Sequence, residues 1–107
     1  VKLLLDTGQV EINSKNNNGH TALSLAAGLG HEAVVKLLLG TGQVEMNLKD
    51  RGGRTALMLA ALYGNEAVVK LLLNTGQVEV NLKDFKGQTT LELATKRGHE
   101  AVVKLLL

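Results

Sequence analysis

The chain has 107 residues, with no cysteine, proline or tryptophan, and although 45% of it is hydrophobic only 2% is aromatic. That length is one small domain or a piece of a larger one, and the missing thiols exclude disulfides, thiolate zinc sites, iron–sulfur clusters and cysteine nucleophiles. A net charge of +2 is well short of a nucleic-acid-binding tail, and no apolar run approaches the roughly 18 residues of a membrane helix.

The pentapeptide Val-Lys-Leu-Leu-Leu stands at 1–5, 35–39, 69–73 and 103–107, each copy 34 residues after the last. Self-similarity at such a period marks a repeat architecture. Residues 1–5 read as the end of a preceding unit, followed by three full units at 6–39, 40–73 and 74–107. Units one and two agree at 23 of 34 positions, and so do units two and three.

Each unit predicts two short helices and a long turn. In unit one Thr21 precedes the helix-forming run Ala22 to Ala27, which Gly28 and Gly30 stop. A threonine there can accept a hydrogen bond from a free N–H of the first turn. His31-Glu32 opens the second helix, with the acid where the helix dipole favours it. Val34, Leu37 and Leu38 fall at i, i+3 and i+4 and are expected to share its buried face. Gly40 or Gly42 ends it. In the connection Val44, Met46 and Leu48 alternate with Glu45, Asn47 and Lys49, the pattern of extended chain. Asp50 to Gly53 is turn chemistry, as is Asn18-Gly19 one unit earlier. Helices this short are marginal alone, so the units must stack to bury their apolar faces.

These residues resemble the ankyrin-repeat family, whose first helix opens Gly-x-Thr-Pro-Leu-His-x-Ala-Ala. The matching stretches are Gly19 to Ala27, Gly53 to Ala61 and Gly87 to Thr95. The run Gly-His-Glu-Ala-Val-Val-Lys-Leu-Leu-Leu at 30–39 and 98–107 is similar to the family's second helix, with Asn65 replacing the histidine in unit two. Ala22, Ala56 and Thr90 stand where the family has proline, and Ser24, Met58 and Glu92 where it has histidine. The 34-residue spacing and the loop spelling are similar to arrays in fungal receptors of the NOD-like type. The resemblance implies an all-α fold over 1–107, a solenoid of stacked helix–turn–helix units with β-hairpin-like turns. It also implies a non-catalytic module that binds a protein partner on its concave face.

Near-identical units separate what the stack requires from what it leaves free. Among the columns that differ at both comparisons are these five: Asn17/Arg51/Phe85, Asn18/Gly52/Lys86, His20/Arg54/Gln88, Gly28/Leu62/Lys96 and Leu29/Tyr63/Arg97. They lie in the turns and at the exits of the first helices, where loops carry binding and where drift of solvated turns would also fall. The expected contact set is Asn17, Asn18, His20, Leu29, Lys49, Arg51, Arg54, Leu62, Tyr63, Lys83, Phe85, Lys86, Gln88, Lys96 and Arg97. Tyr63 and Phe85, the only aromatics, serve in it as anchors.

Charge divides the same way. Lys15, Lys49, Arg51, Arg54, Lys83, Lys86, Lys96 and Arg97 face two acids, Asp50 and Asp84, for a net +6. The remaining four cations and eight acids give −4, which recovers +2. A basic face steers an acidic partner. Two alternatives stay open: a nucleic acid or other polyanion on the same face, which the few aromatics disfavour, and a structural or engineered scaffold without a partner.

No catalytic constellation appears, and no cofactor, metal or small-molecule substrate is implied. His31 and His99 are equivalent positions two units apart, read as structural. Glu92 is the one unexpected acid, with Lys96 at i+4 as its expected mate. The segment carries no signal-peptide pattern, so the expected location is the cytoplasm. Apolar residues at both ends, and no polar capping unit, lead us to expect an excerpt of a longer array with some end-to-end self-association.

Overall fold

The computed structural model describes Asn13 and residues 15–107. The expected chain end at 1–5 and the opening of unit one lie outside the described residues. Six helices follow in order: α1 (Ala22–Leu29), α2 (Glu32–Gly40), α3 (Ala56–Leu62), α4 (Glu66–Asn74), α5 (Thr90–Lys96) and α6 (Glu100–Leu106). They form three antiparallel pairs. Helices α1, α3 and α5 pack side by side in one layer, and α2, α4 and α6 make the second. The architecture is the all-helical stack expected, and no strand forms among the described residues beyond one isolated bridge, Lys83 to Thr89.

Each first helix begins at a threonine. Thr21 Oγ1 accepts from Ser24 N at 3.2 Å, Thr55 Oγ1 from Met58 N at 3.3 Å and Thr89 Oγ1 from Glu92 N at 3.2 Å. The residue at the third helical position decides whether the bond is returned. Ser24 Oγ accepts from Thr21 N at 2.8 Å, and Glu92 Oε1 accepts from Thr89 N at 3.1 Å. These are complete capping boxes, while Met58 is buried and returns nothing. Glu92 therefore closes its own helix start, and no ion pair joins it to Lys96 among the described residues, contrary to the i+4 expectation.

The second helices correct the expected face. In α2 the buried residues are Val35 and Leu38, while Leu37 is 40% exposed and Val34 half-buried. Every residue from Ala33 to Leu39 except Lys36 is apolar, so spacing alone could not fix the phase. In α4 the equivalents of Val35 and Leu38, Val69 and Leu72, are buried again, and Val68, the equivalent of Val34, joins them. The connection after α2 turns at Gly42, whose φ of +68° is left-handed and open to glycine at little cost.

One continuous core runs through the stack, built from Leu23, Val35, Leu38, Leu57, Val69, Leu72 and Val102 around a column of alanines. Small residues between the first helices allow close approach. Met58, Leu62 and Leu93 form a second, smaller cluster toward the turns.

Polar ladders also join the units. Asn13 Nδ2 donates to the Gln43 carbonyl at 3.1 Å while its Oδ1 accepts from Glu45 N at 2.8 Å; Asn47 repeats both bonds one unit on, to Gln77 O and from Glu79 N. Lys15 Nζ donates to the Lys49 carbonyl at 2.7 Å and Lys49 Nζ to the Lys83 carbonyl at 3.0 Å. Asn65 Nδ2 donates to the Ala27 and Gly28 carbonyls at the end of α1, and His99 Nε2 lies 2.9 Å from the Leu62 carbonyl at the end of α3. His99 is thus structural, as expected; His31 is exposed.

Candidate partner-binding face

The turns are organised by one side chain each. Asp50 Oδ1 accepts from Gly52 N at 2.8 Å and Arg54 N at 3.0 Å; Asp84 Oδ1 accepts from Lys86 N and Gln88 N, both at 2.9 Å. In unit one Asn16 holds Asn18 N and His20 N the same way. Neighbouring turns stack on backbone bonds, Arg51 N to Asn18 O at 3.2 Å and Phe85 N to Gly52 O at 3.0 Å. Gly53, at φ +77°, leaves no room for a side chain. A Cβ there would stand 2.6 Å from the Phe85 ring.

The column His20/Arg54/Gln88 was expected to face a partner. Its first two members reach along the stack instead. His20 Nε2 lies 3.0 Å from Asp50 Oδ2, and Arg54 Nε lies 3.6 Å from Asp84 Oδ2, an ion pair longer than a hydrogen bond. Burial opposes ionisation of the Asp84 carboxyl. The backbone N–H groups of Gln88 and Lys86 and the Arg54 guanidinium outweigh it and hold the carboxyl below its ordinary value.

The basic face is correspondingly smaller than the sequence count. Lys15, Lys49 and Arg54 are spent on the stack. Arg51, Lys83, Lys86, Lys96 and Arg97 are exposed and make no ion pair among the described residues. Asn17, Asn18 and Leu29 are also exposed, while His20, Lys49, Arg54 and Gln88 are half-buried. Leu62 corrects the expectation outright. It is 3% exposed, because it fills the gap between Met58 and Leu93 that a glycine would leave.

Both aromatics are on the surface, Tyr63 at 57% exposure and Phe85 at 71%. The Tyr63 ring lies over Gly28, where an added Cβ would sit 3.9 Å from it, and Leu29 stands exposed next to Gly28 in the chain. Phe85 leans on Gly53 and carries Lys49 Nζ 5.9 Å from its ring centre.

Between α3 and α5 the face folds into a recess of about 130 Å³. Leu62 and Leu93 form its floor. Arg54, Lys86, Gln88, Lys96 and Arg97 line the rest. Six of the seven lining residues belong to the columns where the units disagree. Leu93 does not, because leucine occupies its position in every unit (Leu25, Leu59), so a comparison of differences could not find it.

Among the described residues no group of three or more His, Asp or Glu side chains could hold a metal ion, and no helix is long and apolar enough to cross a membrane. The fold and face define a helical repeat array that presents a turn-and-helix surface. A family model for ankyrin repeats in three copies matches residues 1–50 and 40–107, and the chain belongs to the ankyrin-repeat family. That family serves generally in protein–protein interaction and is typically non-enzymatic. No curated protein matches the chain.

Proposed function

We propose that this array binds an acidic segment of a protein partner on its concave face, between the turns and the first helices. The recess between α3 and α5 carries the reading, with three exposed cations, Lys86, Lys96 and Arg97, that the stack leaves unpaired over an apolar floor. Attraction across such a surface raises the on-rate and selects partners by charge. Tyr63 and Leu29 supply an apolar ledge one unit away, suited to a side chain of the same segment. Phe85 and Arg51 extend the surface along the turn tips.

A photo-crosslinking amino acid at Tyr63, compared with one at Lys70 on the opposite layer, tests the face. In cell extract the Tyr63 probe is expected to trap a protein through a segment rich in Asp and Glu, while the Lys70 probe does not. Equal labelling from both positions, or capture only from Lys70, contradicts the assignment.

A further inference from the structure

The recess holds more positive charge than one carboxylate can balance. Arg54, Lys86, Lys96 and Arg97 line it, and the acid paired with this set is Asp84, which leaves a net +3. Asp84 Oδ1 is already committed to two backbone N–H groups, and its Oδ2 faces Arg54. The remaining cations have no counter-charge within 4.0 Å among the described residues. Gln88 adds a neutral amide donor.

The equivalent place one unit earlier is built differently. There Gly28, Gly52, Leu62 and Tyr63 stand where the recess has Leu62, Lys86, Lys96 and Arg97. The stack does not require this cluster, because the same fold forms without it at α1 and α3. Keeping like charges together raises the energy of the free protein, a cost that an anion of matching charge removes. A glutamate or aspartate brings one charge and two oxygens. A phosphoserine side chain brings about −2 and three acceptor oxygens, and guanidinium groups suit phosphate geometry through paired donors.

We infer that the recess between α3 and α5 receives a phosphorylated serine or threonine side chain of the partner segment, an inference that rests on the acidic-partner reading above. Lys96 and Arg97, at the exit of α5, and Lys86, on the turn, close on the phosphoryl oxygens. The Arg54 guanidinium, held by Asp84, supports the inner side. Leu62 and Leu93 lie against the methylene that carries the group. Binding of the partner then depends on its phosphorylation, with the dianion favoured over the monoanion.

Fluorescein-labelled degenerate peptide libraries with a central phosphoserine, glutamate or serine, measured by anisotropy, test this. The phosphoserine library is expected to bind about 10-fold more tightly than the glutamate library, the advantage of one added charge-assisted contact. Lys96→Ala with Arg97→Ala, both exposed positions, removes that advantage, while Lys36→Ala with Lys70→Ala deletes equal charge from the other layer and leaves it. Equal affinity for phosphoserine and glutamate overturns the phosphoryl assignment and leaves the acidic reading standing. No preference for either over serine overturns both. Inorganic phosphate that competes at the same concentration as the phosphopeptides shows a free-anion site and overturns the proposal. So does a single-stranded RNA that binds more tightly than the phosphoserine library.

Discussion

The two junctions between first helices share one backbone and differ in what they show to solvent. At α1 and α3 the differing columns place Tyr63 over Gly28 beside Leu29, an apolar ledge. At α3 and α5 the same columns place Leu62 on the floor and Lys96 and Arg97 at the rim, a basic recess. Beneath both junctions the joints repeat: a threonine cap, an Asx-held turn, an asparagine ladder and a lysine to the next unit's carbonyl. In the proposed reading, the exposed contacts Lys86, Lys96 and Arg97 stand in columns whose side chains the stack does not use, while Arg54, Leu62 and Leu93 serve both the stack and the recess.

Breaking a shared column has the largest effect. Leu57 is fully buried at the centre of the core, so Leu57→Ala is expected to lower the unfolding free energy by about 2–5 kcal/mol in urea titration. A turn acid comes next. Asp84→Ala abandons two backbone N–H groups and is expected to cost about 1–3 kcal/mol. Asp84→Asn costs less, because Asn16 already holds the equivalent turn with an amide.

The same carboxyl gives a pH signature. Its folded-state pKa is depressed, so its contribution is present above the ordinary aspartate range and is lost as pH falls through that range toward the folded value. Melting temperature should drop below about pH 4, and Asp84→Asn should drop less steeply.

A smaller test sharpens the comparison from the other side. Thr90 is buried with no partner for its hydroxyl among the described residues, where units one and two have Ala22 and Ala56. Thr90→Ala is expected to be neutral or to raise stability by up to about 1 kcal/mol. A loss above that size would show that the hydroxyl is used.

The repeat made most of the fold legible. A 34-residue period, threonines before apolar runs and glycines after them placed six helices and their turns. What escaped was set by contacts between units. His20 and Arg54 looked free because they vary, yet each reaches the aspartate one unit on. Leu62 looked free because its column holds glycine one unit earlier and lysine one unit later, yet it is buried against Met58 and Leu93. The asparagine ladder escaped for the opposite reason: residues that never change carry no contrast. The phase of α2 was ambiguous because nearly all of it is apolar. Tyr63, Phe85, Lys86, Lys96 and Arg97 were legible as exposed positions because neither core nor ladder uses their side chains, although Phe85 also lies under Lys49.

The separation of the two roles is tested most directly by giving unit three the exit of unit two. In a Lys96→Leu, Arg97→Tyr variant, urea unfolding and binding of the acidic peptide libraries are measured on the same samples. The account predicts an unfolding free energy within about 0.5 kcal/mol of the parent per substitution, together with loss of acidic-peptide binding. A marked fall in stability with binding retained would contradict it.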